Sequence, residues 1–419
     1  MSSGRIQLAS VGIQDYFLTG NPDITYFQKV YKKHTSFALE TLDNTFEDVA
    51  DFGGEVRCVI PRKGDLIRTI YLRVELPALS NNTTSNIGYT DSIGNAIIEY
   101  ADLIIGGQII ERITGEYMEI HNQYFVSDSK QESLKALVGT TGKQRGLGNA
   151  TTDKSGALYG PYPRTFLVPL PFYFYRHEPL SIPLSALTRQ EVEVRIKFKK
   201  FEDLYFSDVG IPTPKPKLGN TTLPVEYVFL SDEEVSYIKQ SRIDYLITQI
   251  QLSTNITKNK TPSYRLGFVN PVKELFIAIQ NSNLVANNEI FNYSNPVSSN
   301  TNYHHLISMN MDFNGETIID EKVADTNFMF SLQPLLHHTR MPKVSENRRF
   351  YCYSFSLEPE GYTPSGQINM SRIQNKTIRF NLSDNGGIDR YIKIYAKSYN
   401  ILRIENGLAG LMFIDNNTV

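Results

Sequence analysis

Apolar and polar residues alternate with a period of two over much of this chain. In "IYLRVELP", Ile70, Leu72, Val74 and Leu76 alternate with Tyr71, Arg73 and Glu75. That pattern predicts a strand with one buried face, because successive side chains on a strand point to opposite sides. In "EVEVRIKFKK", Val192, Val194, Ile196 and Phe198 alternate with charged residues. "FYCYSFSL" and "RYIKIYAKSY" continue the theme late in the chain. "PRKGD" is a turn, and "LIIGGQII" places two apolar runs around Gly106-Gly107, a hairpin signal. Helical periodicity is rarer. "GEYMEIHNQYF" predicts one helix, and "SDEEVSYIKQS" another, with Ser231 and Glu234 in a capping-box pattern.

A third helix is predicted over residues 22–33, inside "LTGNPDITYFQKVYKKHTSFALE". Asn21 suits the N-cap, Pro22 the first helical position, and Asp23 the positive end of the helix dipole. Ile24, Phe27 and Tyr31 fall on one stripe with Val30 beside them, while Lys29, Lys32 and Lys33 gather at the C-terminal end. The stripe predicts that Phe27 and Tyr31 pack against the β-domain that follows. The lysines have a sufficient explanation in the dipole.

Many short strands with Pro/Gly turns point to β-sandwiches, jelly rolls included. A chain of 419 residues has room for two. An ordered internal repeat supports a duplication. "IYLRVE" (70–75) resembles "LFIAIQ" (275–280), "IGGQII" (105–110) resembles "FNGETI" (313–318), and "LSALTRQEVEVRI" (184–196) resembles "MSRIQNKTIRFNL" (370–382). The join is expected near the capped helix at 231–240. "GIPTPKPKLGNTT" before it reads as a surface loop rather than a polyproline ligand.

Charge and chemistry narrow the function by exclusion. A formal net charge of -2 lacks the basic excess of a dedicated nucleic-acid binder. Two cysteines, Cys58 and Cys352, can build neither a disulfide framework nor a zinc site on their own. The start of the sequence lacks the apolar core of a signal peptide, and no apolar run approaches the ~18 residues of a membrane span. The expectation is a protein that stays on the cytosolic side, so sequons such as Asn81, Asn82, Asn149, Asn220, Asn255 and Asn375 are not read as secretory glycosylation sites.

Jelly rolls can host metal enzymes. The histidines, however, include two adjacent pairs, His304-His305 and His337-His338, and neighbours on a strand point apart. No HExxH, phosphate-binding loop or serine elbow occurs. No catalytic, cofactor-binding or metal-binding residue is therefore assigned.

At this level the chain resembles a known family, the double-jelly-roll major capsid proteins of the nucleocytoplasmic large DNA viruses. The likeness runs in order through "LTGNPDITYFQKVYKKHTSFALE", "IPRKGDLI", "LIIGGQIIERI", "PLPFYFYRHEPLSIPLSAL" and "EYVFLSDEEVSYIKQSRIDYLITQIQ". It continues through "NPVKELFIAI", "SLQPLLHHTRMP", "YSFSLEPEGYTPSGQINMSRI" and "YNILRIENGLAGLMF". "MDFNGETIIDEKV" departs locally from the family pattern.

The resemblance implies an all-β fold of two tandem eight-stranded jelly rolls with a few short helices. It implies an N-terminal arm over 1–25, an N-terminal jelly roll over 26–240 and a C-terminal jelly roll over 241–419. It further implies a structural, non-enzymatic capsid protein without cofactors, made in the host cytoplasm or viral factory and resident in the virion. Homotrimers would form pseudo-hexagonal capsomers that tile an icosahedral shell. The segment containing Asn21, Pro22, Ile24, Phe27 and Tyr31 would anchor the capsomer base. Residues 1–20 would extend as an arm toward neighbouring capsomers, minor capsid proteins or the internal membrane, with no direct nucleic-acid contact. The alternatives are a minor double-jelly-roll paralogue, separable by copy number per particle, and a jelly-roll lectin or cupin-like metalloenzyme, separable by stoichiometric metal or sugar-dependent stabilisation.

Overall fold

Sixteen principal strands carry the fold of the computed structural model, which describes residues 2–29, 31–79, 87–140, 164–207 and 215–413. The chain divides into a unit ending at Ser36 and one beginning at Phe37. In the larger unit, the first eight strands are β1 (Phe37–Thr45), β2 (Glu55–Val59), β3 (Leu66–Leu76), β4 (Ile98–Ile105), β5 (Gln108–Thr114), β6 (Arg164–Pro169), β7 (Val192–Phe198) and β8 (Thr221–Leu230). The next eight are β9 (Ile243–Thr257), β10 (Ser263–Arg265), β11 (Pro271–Asn281), β12 (Leu306–Phe313), β13 (Glu316–Ile319), β14 (Phe350–Ser354), β15 (Lys376–Leu382) and β16 (Arg390–Glu405).

The first set forms two antiparallel sheets in the orders β1-β8-β3-β6 and β2-β7-β4-β5. The second set forms β9-β16-β11-β14 and β10-β15-β12-β13. Counted within each set, both halves have the same order, 1-8-3-6 facing 2-7-4-5. This is the double jelly roll. The three sequence repeats fall on equivalent places: the third strand, the turn between the fourth and fifth, and the approach to and course of the seventh. That turn is a two-residue loop in both halves. Gly106-Gly107 has φ of 58° and 82°, and Asn314-Gly315 has φ of 52° and 90°. Two successive positive φ values suit the right-handed strand twist, which explains Gly and Asn there.

Burial follows pairing. Along β3, Ile70, Leu72, Val74 and Leu76 are buried while Tyr71, Arg73 and Glu75 are half-exposed. The strands β11 and β16 behave differently, because long stretches of both are buried on both faces. Leu275, Ile277 and Ile279 face the interior of the second sandwich. Phe276 and Ala278 instead join the core of the first, along with Phe350, Cys352 and Tyr395. The sheet containing β11 and β16 is thus an internal wall, and alternation is suppressed where both faces are covered.

The helix predicted at "GEYMEIHNQYF" spans Gly115–Tyr124, with the Thr114 hydroxyl accepting the Tyr117 N–H at 3.2 Å. The helix between the sandwiches spans Asp232–Gln240. Ser231 occupies its N-cap, but its side chain makes no capping bond, so the expected capping box is not formed. Asp232, Glu233 and Glu234 all lie in the first turn, where the dipole alone favours them. A helix Asp128–Val138, not anticipated from sequence, ends at Gly139 with φ of 75°. The Pro-rich segment is loop over 215–220, and its residues 208–214 lie outside the described set, as do Asn81, Asn82 and Asn149.

The smaller unit departs from expectation. No helix occupies residues 22–29; they are turn and irregular backbone, and Val30 lies outside the described residues. Asn21 sits at φ 49°, the left-handed region, whereas an N-cap needs extended backbone. A single amphipathic helix of this length is marginal in water unless its apolar stripe is covered. Residues before it are not a plain extended arm: Ser3–Ala9 is helical, Ile13–Asp15 forms a 3-10 turn, and Tyr16–Thr19 one further helical turn.

Candidate functional site

Two places could carry function: the uncovered apolar surface and the junction that fixes one sandwich on the other. The uncovered surface is densest in the N-terminal unit. Its short helices bury no residue. Ile6, Leu8, Val11, Ile13, Tyr16, Phe17 and Leu18 are exposed, as are Ile24, Tyr26 and Tyr31, and Phe27 is 99% exposed. Asn21 and Pro22 are exposed too. Within their own unit Phe27 and Tyr31 stay uncovered. Exposed apolar residues concentrated in one segment suit an interaction surface.

The junction is built from the helix Gly115–Tyr124 and the strands of the internal wall. Arg348, fully buried just before β14, is its centre. Its Nε donates to Glu119 Oε1 at 2.7 Å. Its two terminal nitrogens donate to the Phe291 carbonyl at 2.5 Å, the Glu346 carbonyl at 3.0 Å, Asp91 Oδ2 at 2.8 Å and the Ser92 hydroxyl at 3.2 Å. All five N–H donors of the guanidinium are thereby used. Burial opposes its charge, but Glu119 and Asp91 outweigh that and hold its pKa above the ordinary arginine value.

One turn away, Glu116 accepts from the Tyr293 hydroxyl at 2.7 Å, the Tyr395 hydroxyl at 2.6 Å and Lys393 Nζ at 2.7 Å. Burial pushes its carboxyl up, yet Lys393 and the two hydroxyls together bring it below the usual glutamate range. The Tyr124 hydroxyl donates to the Phe350 carbonyl at 3.0 Å, and Lys135 pairs with Glu346. At Arg348, Lys393 and Lys135, a carboxylate from one sandwich meets a cation from the other. Relative movement of the halves would strand buried charges, so the pair behaves as one rigid block.

The adjacent pair His304-His305 is held in the second sandwich by hydrogen bonds. His304 Nδ1 lies 3.2 Å from the Tyr351 hydroxyl, and His305 Nε2 lies 3.2 Å from the Ser294 carbonyl. Burial pulls them down to about 4 and about 3. Among the described residues, no three His, Cys, Asp or Glu side chains are grouped to hold a metal. Cys58 and Cys352 are free and buried, and burial raises both thiols, that of Cys58 to about 11. No described helix is long and apolar enough to cross a membrane.

Sequence reasoning missed the junction, although a signal exists. Lys273 and Glu274 interrupt the apolar run "NPVKELFIAI", and Arg348-Arg349 lead directly into "FYCYSF". Charges embedded in strands too apolar to face water are the trace of buried pairs.

Comparison with known proteins agrees with this architecture. Residues 25–231 match the family model described as the major capsid protein N-terminus, and residues 234–410 match that of the large eukaryotic DNA virus major capsid protein. The major capsid protein of Pyramimonas orientalis virus is 30% identical over 99% of this chain and 100% of its own length. That of Paramecium bursaria Chlorella virus 1 is 26% identical over 99% and 100%. Among solved structures, the PBCV-1 virus capsid model superposes with a TM-score of 0.76 at 22% identity, covering 93% of this chain and 100% of that one. The Faustovirus major capsid protein gives 0.74 at 15% identity, with 94% of each chain covered. With two sandwiches of one topology and full-length relatives of that description, the chain belongs to the major capsid protein family of large eukaryotic DNA viruses.

Proposed function

We propose that this chain is a shell tile: three copies form a homotrimer whose six jelly rolls make a near-hexagonal capsomer, and capsomers pack edge to edge on an icosahedral face. The observation that carries the reading is the repetition of one strand order in two sandwiches joined by buried ion pairs. Two equivalent, rigidly linked lobes per chain become six under a three-fold axis. The role needs no catalysis. Shape, edge contacts and symmetry suffice.

For this role the chain is divided into an arm over 1–25, an N-terminal jelly roll over 26–240 and a C-terminal jelly roll over 241–419. The arm and the residues Asn21, Pro22, Ile24, Phe27 and Tyr31 lie at the capsomer base, where neighbouring capsomers, minor capsid proteins or the internal membrane cover their apolar surface. Direct contact with the genome is disfavoured by a formal net charge of -2. The protein is made in the host cytoplasm or viral factory and ends in the virion shell. Light scattering on the purified protein tests the central step. A mass three times that of the chain is expected, and a monomer at micromolar concentration across several salt and pH conditions overturns the reading.

A further inference from the structure

A cleft of about 250 Å³ opens where the two sandwiches meet. The first sandwich supplies Glu111, Tyr175 and Arg176 to its lining, and the second supplies Lys273, Glu360 and Lys397. Most of these charges already have partners. Glu111 accepts the Tyr173 N–H at 2.6 Å. Glu360 accepts the Thr339 N–H at 2.7 Å and lies 3.2 Å from His338 Nδ1. Lys397 Nζ is 3.2 Å from Glu274 Oε1 and 4.1 Å from the centre of the Phe125 ring.

Two cations on the lining, the buried Lys273 and the solvent-exposed Arg176, make no direct ion pair with a described carboxylate. Lys273 is only 3% exposed, and its ammonium faces the Tyr399 ring at 5.2 Å, with no described carboxylate in ion-pair reach. Arg176 donates to the Phe125 carbonyl at 2.8 Å and sits over the Tyr175 ring at 5.5 Å. Its backbone is held at φ 65°, in the left-handed region.

The bases around the cleft respond to this surplus. Burial, and then repulsion from Lys397, pulls Lys273 down to about 7, although Glu274 and Glu360 act from a distance in the opposite sense. The same two causes in the same order hold His121 well below its ordinary value and lower His177. Burial pushes Glu111 up to about 8, which keeps it protonated at neutral pH and removes one negative charge from the wall. A buried cation that makes no direct ion pair is costly, and an anion entering the cleft relieves that cost.

We propose that this cleft binds a small oxyanion, a phosphate or phosphomonoester held by Lys273 and Arg176 between the aromatic walls of Tyr175, Tyr362 and Tyr399. The ligand would brace the junction by supplying the direct ion pair that Lys273 lacks there. A free phosphate ion and a phosphate carried on a small molecule share this chemistry. The cleft has room for either.

Titration calorimetry of the full chain with inorganic phosphate, against chloride at equal ionic strength, tests the site. One saturable phosphate per chain is expected, with a melting temperature that rises with phosphate and then levels off. Lys273→Met should weaken binding at least tenfold, while its melting temperature without phosphate stays equal to or above that of the wild type, since a buried unpaired ammonium is gone. Arg176→Ala reports from the opposite wall and serves if the first variant fails to fold. Adenosine monophosphate distinguishes the source: tighter binding than phosphate points to a carried phosphomonoester, and equal or weaker binding to the free ion. Absence of saturable phosphate binding by the wild type, or equal affinity in the wild type and the folded variants, overturns the proposal.

Discussion

Replacing Arg348 by Met tests whether the junction holds the two sandwiches together. The methionine fills much of the same volume but removes five hydrogen-bond donors and the positive charge between Glu119 and Asp91. Glu119 is 1% exposed and, among the described residues, keeps the Asn95 amide as hydrogen-bond donor at 2.8 Å. Breaking a buried pair by removing one partner costs about 3–5 kcal/mol, because the remaining charge stays in the interior. The entropy of unfolding is about 2.1 cal/mol/K per residue, which over this chain length makes roughly 0.9 kcal/mol/K. The melting temperature should therefore fall by roughly 3–6 °C, read by calorimetry or intrinsic fluorescence. Adding Glu119→Gln to Arg348→Met removes the stranded charge. The double variant should then be more stable than the sum of the single effects allows, by about 1–3 kcal/mol. A fall under about 1 °C for Arg348→Met, or strict additivity in the double variant, refutes the view that this ion pair fixes the lobes.

Three further outcomes are expected. Gly115→Ala should abolish soluble protein, since its Cβ would lie 2.1 Å from the Asn95 carbonyl oxygen and 2.5 Å from that of Ile98, whereas Gly107→Ala, in open space at φ 82°, should cost only about 1–2 kcal/mol by denaturant titration. Glu111 has its folded-state pKa raised to about 8, so stability should decline as pH rises from the ordinary glutamate range toward 8. Glu111→Gln should flatten that decline, which has an upper bound of roughly 5 kcal/mol; an unchanged pH profile in urea titrations contradicts the burial argument. Phe27→Ala should leave the melting temperature of dilute protein unchanged, because the ring is 99% exposed, yet lower the yield of assembled shells in a sedimentation assay. Equal assembly yields would remove Phe27 from the contact surface.

The double sandwich was legible because half-buried strands and tight hairpins leave local signatures. Alternation in "IYLRVELP" marks β3 from sequence alone, since one face is in the core and the other in water. Gly106-Gly107 and Asn314-Gly315 mark equivalent hairpins because few residues tolerate two positive φ values in a row. The internal wall was harder to read. Where β11 and β16 are covered on both faces, the period of two disappears, and only strand-like composition remains. The helix Asp128–Val138 lacked a strong stripe: it buries only Gln131, Leu134 and Val138.

The functional surfaces were less legible, for two different physical reasons. The segment from Asn21 to Tyr31 carries a sound local pattern for a helix, but helix formation depends on cover for the apolar face, and the single chain leaves Ile24, Phe27 and Tyr31 exposed. A pattern that needs a partner cannot report its conformation without one. The junction has the opposite difficulty. Glu116 and Glu119 are distant in sequence from Lys393 and Arg348, and each resembles a surface charge until the fold brings it within 3 Å of a partner. What betrays them is position: an arginine entering "FYCYSF", or a lysine and glutamate inside "NPVKELFIAI", cannot face water without exposing the apolar residues beside them. Charges in such places must find counter-charges inside the protein or bind them from outside. Arg348 does the first, through Glu119 and Asp91. Lys273 makes no direct ion pair among the described residues, and that difference between two buried cations separates a structural clamp from a proposed binding site.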